Sequence, residues 1–449
     1  MNFDREILKK LKTWATNPAR KPLVLRGARQ VGKTTAVKLF AKDFEHFIYL
    51  NLERPSDREY FDMFVSVGEL MKALCFERNI PFSSKGILLF IDEIQSEPRA
   101  VEMLRFFYED LPEVYVIAAG SMLETMLSDK ISMPVGRVEY LVLRPVSFRE
   151  YLLAKGETEA LQALEQIPLP AFAYPKLLTL FHEYALIGGM PEIVQRFLGQ
   201  GDLTSLKPVY NTLLTAYLED VKKYAHAKLR SEVLTHCMRS VFLEAGHRIK
   251  FQGFGNAPYS SREVGEALRT FEKALLLHLV YPTTETQVPA LPNLRKRPYL
   301  QVLDTGLVNY FSGWQTRLLG IRDLQEAYKG RIVQHWVGQM MLANWNEPLE
   351  GLLFWVREKR QSSAEVDFLF PFEDKLIPLE VKSGAAGKLK SLHQFMDLCN
   401  HHLAIRLYAG PLTTVQPTTP AGKTFKLLNL PYFLGEQLPA YVQWLASSP

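Results

Sequence analysis

Residues 27–34 read GARQVGKT, between the apolar run PLVL and the helix-forming stretch KTTAVKLFAKDF. A glycine, four residues, a second glycine, a lysine and a hydroxyl residue at a strand-to-helix turn form a phosphate-binding pattern. The glycines let the backbone amides of Ala28, Arg29, Gln30 and Val31 curl around phosphate oxygens, and the helix beginning after Gly32 presents its unpaired N–H groups to the same anion. Lys33 can reach the β and γ phosphates and the Thr34 hydroxyl can hold magnesium. The nucleotide-binding set is therefore Gly27, Ala28, Arg29, Gln30, Val31, Gly32, Lys33, Thr34 and Thr35.

Outward from this loop, PLVLRG, HFIYLNLE, GILLFIDEIQ, VYVIAAGS and EYLVLRPVS are short apolar runs separated by helical patterns. That alternation predicts a parallel sheet in an α/β unit. The run GILLFIDEIQ carries Asp92 and Glu93 to its C-terminal end, where open α/β sheets bind ligands. Asp92 lies 59 residues beyond Lys33 with one strand between. At that spacing Asp92 is expected to organise magnesium and Glu93 to orient and deprotonate an attacking water.

The chain has 449 residues, enough for about three domains, and its 47% apolar and 22% charged residues match an ordinary globular protein. Its 53 Lys and Arg against 48 Asp and Glu leave +5, too small a charge to require a nucleic-acid or membrane partner. Cys75, Cys237 and Cys399 stand far apart without ligand spacing, which disfavours a zinc site or a disulfide framework. The N-terminus MNFDREILKKLKTW reads as a charged amphipathic helix, and no run of 18 apolar residues occurs. The expectation is a cytoplasmic chain with no membrane partner.

With RGARQVGKTT, LLFIDEIQ, the strand ending AAGSML, GRVEYLVLRPVSFREYL and YALIGGMPEIV in order along the chain, the sequence resembles the AAA+ ATPases. Within them it resembles the prokaryotic proteins that join such a core to a conserved C-terminal region of unknown function of DUF4143 type. The resemblance implies a P-loop sheet over 1–147, a helical lid over 148–205 attached to it, a helical and winged-helix-like part over 206–322 and a small α/β domain over 323–449. It also implies ATP as substrate, ADP as product and magnesium as cofactor, and it is compatible with a homo-oligomer, although the sequence itself does not reveal the oligomeric state. By position, Ser121 resembles the phosphate sensor and also suits a helix N-cap. Arg137 resembles an arginine finger acting on a neighbouring subunit and equally suits a surface ion pair. Asn51 could restrain Glu93 or cap a turn. Arg196 stands near the second sensor's place, and GGMPE resembles the lid signature.

Near the C-terminus, in AEVDFLFPFEDKLIPLEVKSG, Asp367 ends one strand, and Glu380 and Lys382 lie two apart on one face of the next. This resembles the PD-(D/E)XK nuclease fold, whose two carboxylates bind a divalent metal while the lysine positions water. Gln334 falls in GRIVQHWVGQMM, where relatives carry a helix glutamate; an amide brings no charge, so cutting is expected to be weak or absent. YSSREVGEALRTFEKALLLHLVYP followed by LRKRPYLQVLD resembles a winged helix, with Arg295, Lys296 and Arg297 in the wing. Basic wings meet DNA phosphates, but Glu263 and Glu266 mix the helix face, so DNA and a protein partner both suit it. The string DTGL at Asp304–Leu307 matches the family without evident chemistry. The leading expectation is an ATPase driving or regulating the C-terminal region; its rivals are a nucleotide-gated binding switch with negligible turnover and an ATP-dependent DNA nuclease.

Overall fold

The computed structural model describes residues 4–82, 86–120, 133–134, 136–223, 228–313, 315, 330–344, 351–359, 362–384 and 389–447. These form two compact units, one built from the described residues up to Pro145 together with Thr270–Leu276, the other from Val146–Arg269 and the described residues from Leu277 onward.

The first unit opens with α1 (Glu6–Thr16) and then alternates strands and helices: β1 (Leu23–Arg26), α2 (Lys33–Phe40), β2 (His46–Asn51), α3 (Pro55–Met63), α4 (Val67–Glu77), β3 (Ile87–Asp92), α5 (Pro98–Asp110), β4 (Tyr115–Gly120) and β5 (Glu139–Val142). The strands form one sheet in the order β2-β3-β4-β1-β5, with every pairing parallel. Thus the strand leading into GARQVGKT and the strand ending in Asp92 are separated by β4 alone. β1 and β3 are buried along their whole length, which explains why they read as unbroken apolar runs rather than alternating ones. Ile48, Leu50, Leu89, Ile91, Val116 and Ala118 pack against Leu70, Met71 and Leu74 of α4 and Val101, Leu104 and Phe107 of α5. Each such fully buried Leu, Ile or Phe contributes about 2 kcal/mol, and this core fixes where the strand ends lie.

The second unit begins with α6 (Phe148–Lys155), α7 (Thr158–Leu164), α8 (Tyr174–Ile187), α9 (Pro191–Gln200), α10 (Lys207–Lys223) and α11 (Lys228–Glu244). The helical segment expected as a lid attached to the first domain therefore lies in this unit. Local bonds give the reason: Val146 N donates to Gly189 O (2.7 Å), Gly189 N donates to Asp304 (2.6 Å), and Phe148 N donates to Glu436 (2.6 Å). α12 (Ser261–Lys273) follows, with Ser260 accepting from Glu263 N as its cap. β6 (Leu277–Val280) pairs antiparallel with β8 (Tyr299–Val302), and the basic loop lies between them.

After α13 (Thr305–Phe311) and α14 (Gly330–Asn344), the chain makes β9 (Leu353–Lys359), β10 (Ser362–Phe372), β11 (Lys375–Val381), α15 (Lys390–Leu398), β12 (Leu403–Tyr408), β13 (Thr413–Val415), β14 (Lys426–Pro431) and α16 (Leu438–Ser447). With β7 (Pro282–Thr283) these strands form a sheet of order β13-β14-β12-β11-β10-β9-β7. β10 runs antiparallel to both β9 and β11, while β12 runs parallel to β11. Trp355, Val366, Leu369 and Leu376 on one face pack against Leu392, Phe395 and Met396 of α15.

Candidate nucleotide site

Gly27 must be glycine for a steric reason: a Cβ there would meet the backbone oxygen of Leu143 at 2.5 Å. Gln30 (φ 65) and Gly32 (φ 97) take left-handed conformations that wind the loop tightly before α2. Lys33, buried, donates from Nζ to the carbonyl oxygens of Gly27 (2.9 Å) and Ala28 (3.0 Å). Its ammonium is thus held inside the curl of the loop, beside the N-terminus of α2, where the helix dipole also favours an anion. Ala28 and Val31 are buried, Arg29 and Thr34 half-buried, and Gln30 and Thr35 exposed, so the loop's anchoring and its open face are divided among its residues.

Arg5, which the sequence presented only as part of an amphipathic helix, buttresses this loop. Its guanidinium is buried and donates to Val31 O (3.2 Å) and Arg144 O (2.7 Å). A lone arginine ahead of a helix carries no pattern that would have revealed this role.

Across the sheet, the Thr34 hydroxyl donates to Asp92 Oδ2 at 2.7 Å. A hydroxyl and a buried carboxylate in contact, both hard oxygen donors, suit magnesium. Tyr49 also donates to Asp92 Oδ2 (3.3 Å), and burial followed by the Asp92 charge pushes its hydroxyl up to about 12. Glu93 follows in the left-handed region (φ 52, ψ 43), with its N–H donating to Asp92 Oδ1 (3.2 Å). Burial raises its carboxyl above the ordinary glutamate range, opposed first by a hydrogen bond from Gln95 and then by the Lys33 charge.

Gln95 is the second residue missed by sequence reasoning. Asn51 instead accepts from Glu53 N (3.0 Å) as a turn cap. Ser121 lies outside the described residues; Gly120, just before it, ends the strand between β1 and β3. Arg137 donates from Nε to Glu109 Oε1 of α5 (2.8 Å), and this pairing lowers Glu109 below the usual carboxylate range. Arg196 belongs to the second unit, beside a shallow cavity of about 540 Å³ also lined by Glu192, Gln195, Gly199 and Gln200.

In that unit, Asp367 and Glu380 are neighbours on β10 and β11, in the register that pairs Phe368 with Leu379. The register of β10 against β9 shifts between Val366 and Leu369, the stretch that holds Asp367, and such bulges re-aim side chains. Asp367 accepts from Val381 N (2.7 Å), and Lys382 Nζ pairs with Glu380 Oε1 at 2.5 Å. Loss of solvent and the Glu380 charge push Asp367 well above its ordinary range. Glu380 Oε2 is buried without a partner. Gln334 is half-buried on α14. Among the described residues no group of three or more His, Cys, Asp or Glu side chains converges to hold a metal.

The string DTGL does have a structural role. Asp304, fully buried, accepts from Leu307 N (3.1 Å) at the start of α13 and from Gly189 N, which ties it to GGMPE. A Cβ on Gly188 or Gly306 would meet Asp304 or the Ile187 backbone within 2.5 Å, so both positions demand glycine.

Residues 19–152 match the family described as AAA domain. The phosphate loop, the Thr34–Asp92 contact and the parallel sheet thus belong to a P-loop ATPase-like AAA domain. More narrowly, the chain joins that domain to a domain of unknown function, DUF4143, matched over residues 329–431, with another, DUF8612, matched over 178–318. Among solved structures it is similar to the Walker-type ATPase PABY2304 of Pyrococcus abyssi, at 14% identity over 69% of this chain and 96% of that one, TM-score 0.44. It is also similar to a variant of RuvB from Thermotoga maritima, at 15% identity over 65% and 93%, TM-score 0.29. No curated protein matches the chain.

Proposed function

We propose that the protein hydrolyses ATP to ADP and phosphate with magnesium, and that this cycle drives or regulates its C-terminal region. The observation that carries the reading is the meeting of Thr34 and Asp92 at 2.7 Å, with Glu93 next in the chain. Lys33 and the loop amides bind the β and γ phosphates. Thr34 and Asp92 would hold magnesium, which supplies charge neutralisation at the phosphates. Glu93 takes a proton from water as its oxygen attacks the γ phosphorus, and ADP leaves with the electrons of the broken P–O bond. Ser121 senses the γ phosphate. Arg137 acts across a subunit boundary after leaving Glu109, an exchange of exposed partners that costs little.

For the C-terminal part, the order α14, β9, β10, β11, α15, β12 and the cross-strand pair Asp367 and Glu380 support a PD-(D/E)XK-like fold. Gln334 in place of an acid favours a scaffold over a cutting enzyme. The arrangement α12, β6, basic loop, β8 supports a winged helix. On its helix Arg262 pairs with Glu266 (3.1 Å), and Glu263 accepts from the Ser260 hydroxyl (2.7 Å). Phosphate release measured with and without DNA tests the whole reading. ATP-dependent turnover supports it, whereas binding without turnover favours the nucleotide-gated switch, and DNA cleavage favours the nuclease.

A further inference from the structure

The side chain that fixes the base is two residues away from it. Glu93 holds a left-handed conformation, unfavourable for an L-residue with a long side chain and maintained only where the surroundings over-determine it. Several backbone bonds do so here: Leu52 N donates to Asp92 O (3.0 Å), Ser96 N to Glu93 O (2.9 Å), and Glu97 N to Ile94 O (3.2 Å). The last two close a single 3-10 turn, Ile94–Ser96, pinned by the fully buried Ile94. The turn folds Gln95 back toward Glu93, and its amide nitrogen donates to Glu93 Oε2.

This hydrogen bond is the defining feature of Gln95. The side chain is 8% exposed, and burying an amide costs free energy unless it is hydrogen-bonded. Its other end, Oε1, is buried without a partner, so the amide is not placed there to satisfy a neighbouring element. Its orientation is also unambiguous, since only the N–H₂ end can face a carboxylate. Asn51, the other amide near this strand end, is engaged by Glu53 N. With Oε2 occupied by Gln95, Glu93 Oε1 is the oxygen available to water.

We propose that Gln95 is a positioning residue for hydrolysis: it anchors Oε2 of Glu93 so that Oε1 is presented to the attacking water. The inference rests on the ATPase reading and goes beyond it by naming the group that orients the base. A base that must find its own rotamer loses part of the rate that a positioned one supplies.

The test is steady-state ATP hydrolysis by the full chain carrying Gln95→Leu, similar in size without a donor, or Gln95→Asn, polar but one carbon short. Glu93→Gln and wild type run beside them, and ATP affinity is measured by calorimetry for each. The expected result is kcat lower by about tenfold or more in both Gln95 variants, with KM and ATP affinity within about twofold of wild type. Turnover within twofold of wild type, or faster, would overturn the inference while an inactive Glu93→Gln left the ATPase reading standing. ATP affinity falling in step with kcat would also overturn it, because it would mark Gln95 as support for the fold of the site. No turnover in wild type would sink both readings together, and undiminished turnover in Glu93→Gln would overturn Glu93 as the base and this inference with it while leaving ATP hydrolysis itself standing.

Discussion

Replacing Asp304 with alanine removes a buried carboxylate that no step of ATP hydrolysis uses, so its effect should appear in stability. Two losses follow from the geometry. The cap on Leu307 N disappears, at about 1 kcal/mol, and Gly189 N, which donates to Asp304 at 2.6 Å, is left a buried donor without its acceptor, at about 1–3 kcal/mol. The sum is about 2–4 kcal/mol, and it should depend on pH. Burial pushes Asp304 up to about 6, against about 3.9 in an unfolded chain. Between those values the folded protein holds a proton that the unfolded chain has released, so this residue's contribution is largest near pH 4, declines as pH rises to about 6, and is level above. From pH 5 to above pH 6 the decline is about 1.4 kcal/mol. Glu436, pushed up to about 7 by burial, titrates in both proteins and to first order drops out of their difference. Denaturant unfolding followed by tryptophan fluorescence at pH 5 and pH 7.5 should show Asp304→Ala less stable at both, with the larger penalty at pH 5. A penalty under about 0.5 kcal/mol at both values, or one larger at pH 7.5, would refute the reasoning.

If Arg137 acts in trans, turnover per subunit should rise steeply with protein concentration, and an Arg137→Ala subunit should regain activity when mixed with wild type. Flat specific activity over a range in which the protein is shown to dissociate argues against a shared site. For the sheet bearing Asp367 and Glu380, incubation with magnesium or manganese and plasmid, linear or single-stranded DNA should give the same background in wild type and Asp367→Ala. Cleavage lost in that variant would mean the missing acid at Gln334 matters little, and new metal-dependent cutting by Gln334→Glu would place that residue in the site.

The candidate nucleotide site could be picked out in the sequence because its pattern is local. GARQVGKT is one contiguous turn, and LLFID is a strand whose burial on both faces forbids polar residues until its end, so Asp92 and Glu93 stand out. What was not legible depends on backbone geometry or distant contacts. Gln95 meets Glu93 across a turn that Glu93 enters in a left-handed conformation, which the letters DEIQ do not announce. Arg5 reaches Val31 and Arg144 across 26 and 139 residues. The placement of 148–205 with the second unit likewise rests on bonds to Asp304 and Glu436, more than a hundred residues away in sequence. A helical period shows which face is buried and gives no indication of the element that covers it.

The most direct test of the central claim is phosphate release from ATP by Glu93→Gln beside wild type, in a preparation whose ATP affinity is measured on the same sample. The substitution keeps the shape of the side chain and removes its basicity. Wild type should hydrolyse ATP, and the variant should bind ATP with affinity within a few-fold while turning over about 10²-fold slower or less. Near-normal turnover in Glu93→Gln, with ATP bound as in wild type, would contradict the account.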